Sequence, residues 1–497
     1  MNRSLYILHI LVAVILISGC TDNSTQITFD AIPDYNDSII TKTLAFNSGL
    51  PVLSITIDSS DLYGSGGILT HYKGHGRAYE RPIKVAYFEN KNRVFNSFAG
   101  IRLQGEFRDS TSLENNRGVK LIFRKSYNKP KELKQVLNDN TRRFAIRKNY
   151  DFREPLAYLW INKIGGITNK IKPVKLFVNN VDLGIYNITD QVCTDNLIKN
   201  DIKFKSFYNY RSDNDLTSKF DYKTFEKKII YAIDYNQSVK KRLTKIFYNI
   251  PDTMCLGQAN QTIDLASFTA QIFGIMYFGI SDWAQGALIQ TEKSNYYWLQ
   301  NDLDCAFYDC RDELQSKQLW EQDIYDLIIK EYTNQDRTIL FDHLINNCDD
   351  YRQYFQDFVL NVLNHELDST YLNITLDSVY NMATIMNDST RYVFDFEKYQ
   401  ERKSFINNRT AYFIKSINEK FYNSKTTSVA ISNTNNLRYC VDSVPKQNSY
   451  KGHYFLNNEV TISCEDPHFK CYIINDDTVS TKSTKIATNV SYTIKLL

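Results

Sequence analysis

Near Asp264 the hydrophobic periodicity of this 497-residue chain changes, and that change constrains the fold more than any other feature. Before it, apolar residues come in short alternating or β-branched runs: Val52 to Ile57, Ile83 to Phe88, Ile101-Arg102-Leu103, Val119 to Phe123, Val174 to Val178 and Gly184 to Ile188. Period-two alternation sends one face of each run inward, so these segments predict a mostly antiparallel sheet, with a hairpin turn at Asn179-Asn180-Val181-Asp182. One helix interrupts them, from Pro155 to Ile164, with Leu156, Leu159, Trp160 and Ile164 on one face. Asp264 suits a helix N-cap, and beyond it Phe268, Ile272, Ile275, Met276 and Gly279 recur at helical spacing. Tyr351 to Leu363 and Phe405 to Ile417 repeat the pattern, and their aromatic stripes read as core faces. Strands followed by helices predict an α+β fold with the ligand site in the cleft between the halves. From about Ser424 a Thr/Ser/Asn-rich linker leads into short strands at 460–463 and 470–474, a small all-β appendage.

With 59 basic against 56 acidic residues, the net charge of +3 provides no field for nucleic acid. The N-terminus is more directive. The apolar run Leu5 to Ile17 is short for a membrane span and suits a signal-peptide core. It ends in Ile17-Ser18-Gly19-Cys20, which resembles a bacterial lipobox, so Cys20 is the expected acylated residue. Polar residues 21–47 read as a tether. The expected organisation is a lipoprotein signal peptide (1–20), a tether, a main domain (48–423), and a linker with a β-rich module (424–497). The protein would then work outside the cytoplasm, held to a bacterial membrane by its N-terminal lipid. Setting Cys20 aside leaves eight of the 9 cysteines, so disulfides are permitted there. Cys464 and Cys471, flanking an expected hairpin, are the first candidate pair; Cys305 with Cys310 come second, with buried free thiols as the equal alternative. His365-Glu366 has no second histidine one helical turn on, which rules out a zinc-protease motif.

Candidate chemistry lies after the Asp264 helix. Ser281-Asp282-Trp283-Ala284-Gln285-Gly286 is followed by a strand that ends in Asp302-Leu303-Asp304. Two or three converging carboxylates can hold Mg²⁺ against phosphate while another orients a hydroxyl. Arg102 and Lys120 sit within apolar strands, with Arg117, Arg143 and Arg147 near in sequence; cations there must snorkel, pair or face a cleft. The glycines at 64, 66, 67, 74 and 76 lack a P-loop pattern and read as turns.

From about Leu50 to Tyr422 the sequence resembles the spore-coat protein H (CotH) kinase family. The resemblance rests on Tyr79-Glu80-Arg81-Pro82, Gly100 to Gly105, Lys120 to Arg124, Arg147 with Asn149 and Arg153, the hairpin around Gly184, Asp282-Trp283, Asp302 to Phe307 and Asn408-Arg409. It implies an atypical protein-kinase-like fold with two lobes, ATP with Mg²⁺ or Mn²⁺ as cofactors, and phosphoryl transfer to Ser or Thr of a secreted or surface protein. By position, Asp282 matches the catalytic aspartate and Asp304, with Asp302 beside it, the metal-binding one. Arg102, Lys120 and Arg147 match basic positions expected to face the nucleotide. Two positions depart from the family. Where many members carry asparagines after Asp-Trp this chain has Gln285, an amide oxygen in place of the second metal ligand, and Asp190 replaces the usual glutamate. The alternative carried by these departures is a kinase-like surface lipoprotein that binds a partner without catalysis.

Overall fold

In a computed structural model, described over residues 50–105, 108–116, 118–127, 130–137, 141–148, 151–190, 204–210, 250–281, 286–291, 295–308, 319–322, 325, 336–385, 395–423, 425–455, 458–488 and 490–497, the alternating runs are the staves of a closed barrel. Seven strands, β1 (Val52–Thr56), β2 (Arg81–Glu89), β3 (Asn92–Gln104), β4 (Gly118–Ile122), β5 (Arg143–Lys148), β6 (Ile171–Val178) and β7 (Val181–Asp190), bond in the order β1-β2-β3-β4-β5-β7-β6. All neighbours are antiparallel except β1 and β6, whose parallel seam closes the ring. The sheet is mostly antiparallel, as expected, and its closure into a barrel is what the sequence reading did not anticipate. Its interior is filled by the inward half of each alternation, including Ile55, Val85, Ile101, Leu121, Ile146, Val174, Leu176 and Ile188. Asn179 fastens the seam from the β6–β7 turn, accepting from the Ile57 amide at 2.9 Å and donating to its carbonyl at 3.0 Å.

The Gly-rich connection after β1 opens with a short helix, α1 (Ser59–Tyr63), capped by Asp58, which accepts from the Ser60 amide at 2.7 Å. The glycines make turns, as expected, and Gly74 also permits close packing: a Cβ there would lie 2.3 Å from the Tyr79 ring.

α2 (Arg153–Lys163) lies within the strand-rich half of the sequence but packs into the helical core. Trp160 stacks on Phe278 at 4.9 Å and donates to Thr375 Oγ1 at 2.9 Å. The buried face is Leu156, Ala157, Tyr158, Trp160 and Ile161; Leu159, expected inside, is 46% exposed. The helical half comprises α3 (Leu256–Thr262), α4 (Leu265–Phe278), α5 (Asp336–Asn347), α6 (Asp349–Asn361), α7 (Ser369–Ile385) and α8 (Phe396–Ile417). It also carries a three-stranded sheet of β8 (Phe204–Tyr210), β9 (Gly286–Thr291) and β10 (Tyr296–Gln300). α4 is buried on every side, which suits its nearly unbroken apolar sequence. Asp264 caps it, accepting from the Ser267 amide at 3.0 Å, and left-handed Gly279 ends it.

Cys255 and Cys348, at the N-caps of α3 and α6, form a disulfide that the sequence did not single out. It bridges a separation of 93 residues, so Cys255→Ala with Cys348→Ala is expected to lower unfolding stability by about 4.6 kcal/mol, through release of unfolded-chain entropy. Denaturant midpoints of the wild type and double variant check this. Cys305 is also disulfide-bonded, and Cys310 lies outside the described residues. The expected Cys464–Cys471 bridge is absent, both being free thiols. The intervening segment is a crossover between sheets: Cys464 follows β15 in one sheet and Cys471 precedes β16 in the other.

The C-terminal module is a pair of sheets built from β11 (Thr426–Ser432), β12 (Tyr439–Val441), β13 (Val444–Lys446), β14 (Tyr450–Phe455), β15 (Glu459–Ser463), β16 (Tyr472–Ile474), β17 (Asp477–Val479), β18 (Ser483–Ala487) and β19 (Tyr492–Leu496). Their orders are β14-β11-β19-β16-β17 and β13-β12-β15-β18, around a shared core that includes Val429, Val460, Ile462 and Ile494. The stretch expected as linker therefore already holds a core strand, β11. The module is tied to the helices: Asn364 exchanges two hydrogen bonds of 3.0 Å with the His453 backbone, Lys446 pairs with Asp368 at 3.0 Å, and Phe455 enters the helical core.

Candidate active site

The site begins with a sheet register. Arg102 on β3 lies opposite Lys120 on β4, which lies opposite Ala145 on β5; Arg147 is two residues further along β5. Directly opposed residues share a face, as do positions two apart, so Arg102, Lys120 and Arg147 all lie on the outer barrel face. Lys120 and Arg147 are diagonal neighbours, about 7–8 Å apart at the backbone. Ala145 and Gly118 leave that face low between them.

Arg102 sits on the side of this face nearest Glu80. The buried Glu80 carboxylate takes two hydrogen bonds of 2.9 Å from Arg124 and one of 3.1 Å from Tyr127, with Arg102 Nε 3.7 Å away. Burial, and then the guanidiniums of Arg124, Arg143 and Arg108, push Arg102 below its ordinary value while Glu80 pulls it up. Arg102 Nε is buried and makes no hydrogen bond, its nearest anion being Glu80.

The acidic side is supplied by the loop after β10. Leu303 is fully buried in the helical core, so Asp302 and Asp304, on either side of it, turn toward the barrel. Asp302 takes a left-handed backbone (φ 63°), and its amide donates to Tyr158 Oη at 2.9 Å. The Ser281 amide donates to the Cys305 carbonyl at 3.2 Å. The residue before Asp282 is thereby joined to the residue after Asp304. Asp282 and Gln285 themselves lie outside the described residues, as does Cys20.

Arg147, expected to face the nucleotide, meets the carboxylates instead. Nη1 contacts Glu154 Oε1 at 3.2 Å and also Asp302, and Nη2 contacts Asp304 at 2.8 Å. Burial opposes its charge, but Glu154, Asp302 and Asp304 hold it well above its ordinary range. Glu154, in the first turn of α2, is the residue the sequence reading missed, with Asn187, which donates to Glu154 Oε2 at 3.2 Å. Burial, with Asp304 and Asp302 adding to it and Arg147 opposing, pushes the Glu154 carboxyl up to about 7. The one sequence signal was an ionisable residue opening a helix whose next residues, Pro155-Leu156-Ala157, are apolar. Asp190, the other acidic candidate, accepts from the Lys170 amide at 2.8 Å and fastens a loop.

Among the described residues, the one set of three His, Cys, Asp or Glu side chains whose ligand atoms all lie within 4.8 Å is Cys255, Cys348 and Asp350, at the disulfide. The carboxyl groups near Arg147 stand around its guanidinium. They fit a cation nonetheless: three carboxyl groups are hard oxygen donors, and they already surround one positive charge, that of Arg147.

No curated protein matches this sequence. Among solved structures, the crystal structure of a Helicobacter pylori proinflammatory kinase, CtkA, is similar at a TM-score of 0.26 and 13% identity, over 65% of this chain and 96% of that one. The family model described as CotH kinase protein matches residues 101–417, well over half of the sequence. By that match, the chain belongs to the CotH kinase family.

Proposed function

We propose that this protein is a membrane-anchored extracytoplasmic kinase of two lobes, the barrel and the helical half, which transfers the γ-phosphoryl of ATP to Ser or Thr of a secreted or surface protein. The observation that carries this reading is the single outer barrel face holding Arg102, Lys120 and Arg147 opposite Asp302 and Asp304. Arg102 and Lys120 would bind the phosphates; Asp302 and Asp304, with the Gln285 amide, would hold Mg²⁺ or Mn²⁺. A bound divalent ion supplies neutralisation of the phosphate charge during transfer. Asp282 accepts the proton of the attacking hydroxyl as its oxygen bonds to the γ-phosphorus and the bond to the ADP oxygen breaks. Family membership supports the reaction class, and the Ser281–Cys305 hydrogen bond supports the nearness of Asp282 to Asp304. The disulfides support an oxidising compartment, in keeping with lipid attachment at Cys20.

A second reading, a non-catalytic surface scaffold, is favoured by one observation: Arg147 already neutralises both aspartates. Thermal unfolding of the full-length chain in detergent separates the two. A folded-state ligand at a hundred times its Kd adds about 2.7 kcal/mol, so ATP with Mg²⁺ or Mn²⁺ is expected to raise the Tm by a few degrees. No rise with any nucleotide and metal removes the kinase reading.

A further inference from the structure

Arg147 stands among three carboxyl groups that are not equivalent. Glu154 is nearly buried, its side chain 5% exposed, and is carried on a helix; its second oxygen is held by Asn187, which lies directly opposite Arg147 on β7. Asp302 and Asp304 are more exposed, at 20% and 28%, and are carried on a loop. The backbone of that loop is fixed by the Asp302–Tyr158 and Ser281–Cys305 hydrogen bonds and by Leu303 in the core. An arriving cation therefore approaches from the aspartate side and needs no movement of the backbone. Arg147 keeps one strong partner on the opposite side.

Resting on the catalytic reading above, we infer that Arg147 is a resident counter-ion for the proposed metal site. It neutralises Asp302 and Asp304 until a divalent ion displaces it, and Glu154 is the positioning residue that retains it afterwards. Released from the aspartates, the guanidinium remains on the sheet face shared with Lys120 and Arg102, where its donors serve the phosphates. Metal and nucleotide then favour each other: the ion releases the arginine that the phosphates use. The planar fork is what allows one side chain to span Glu154, Asp302 and Asp304 together, which a lysine ammonium does not reproduce.

The test is binding of Mn²⁺ alone, followed by the electron paramagnetic resonance signal of the free ion, to the full-length chain in detergent. Arg147→Met and Arg147→Lys are both expected to bind Mn²⁺ about tenfold more tightly than the wild type, because each removes the competing fork. Glu154→Gln is expected to weaken Mn²⁺ binding in the wild-type background and to change it far less beside Arg147→Met, since Glu154 acts through the arginine. If wild type and both Arg147 variants bind Mn²⁺ equally, or the variants bind more weakly, the counter-ion role is overturned while the catalytic reading stands. If Arg147→Lys matches the wild type and Arg147→Met alone binds more tightly, the effect is long-range charge and the role is likewise overturned. Should Arg147→Met fail to fold, Arg147→Lys decides. Absence of Mn²⁺ binding by every form, with or without a non-hydrolysable ATP analogue, counts against the catalytic reading itself.

Discussion

Asp304→Ala is expected to abolish the nucleotide-dependent rise in Tm and to reduce phosphoryl transfer by roughly a thousandfold, the loss typical when one electrostatic contributor is removed from a transition-state site. The unliganded protein should change little in stability. Asp304 is partly exposed, and its loss leaves Arg147 paired with Glu154 and Asp302. Transfer of labelled γ-phosphate and thermal unfolding, measured on the same full-length preparation, separate lost chemistry from lost fold. Undiminished transfer by the variant would remove Asp304 from the proposed site.

Arg409→Met is expected to have a large effect on stability, about 4 kcal/mol, because it strands buried acceptors rather than merely removing a contact. Arg409 is 1% exposed and donates to four carbonyls: Met276 at 2.9 Å, Tyr277 at 3.0 Å, Trp320 at 2.6 Å and Gln322 at 3.0 Å. Met276 and Tyr277 belong to the last turn of α4, where carbonyls lack helical partners and the helix dipole favours a cation. The same side chain thus satisfies the end of α4 and fixes the 319–322 segment against it. The midpoint of urea unfolding checks the magnitude. Arg409→Lys is expected to recover less than half of the loss, since an ammonium cannot reach four carbonyls arranged around a planar fork. Full recovery by lysine would show that charge alone is responsible.

Local elements were legible where local physics decides them. The alternation of Ile83 to Phe88 and Val174 to Val178 identified strands, and Asp264 identified the start of α4. Barrel closure was not legible, because the β1–β6 seam joins segments whose own patterns would equally suit an open sheet. Cysteine parity permitted disulfides, but the assignment of strands to sheets decided that Cys464 and Cys471 stay apart. At the site, the cationic strands and the Asp-x-Asp loop could be read from residue types alone. The partner of Arg147 could not: Glu154 is close to it in sequence, yet Asp302 and Asp304 reach it only through the packing of Leu303 and the approach of the two halves.

The seam also fixes an order of events in time. β1 is the first stave synthesised, yet its second edge is covered only by β6, with Ile57 and Asn179 fastened to each other from 122 residues apart. Until that distant stretch has emerged, the nascent chain carries a strand edge of unpaired N–H and C=O groups, and contacts of such long sequence separation form slowly. Pairing of β6 with β1 should therefore be a late folding step and a point at which a chaperone is needed. The cationic face, spread over β3, β4 and β5, would take its final curvature only as the ring shuts.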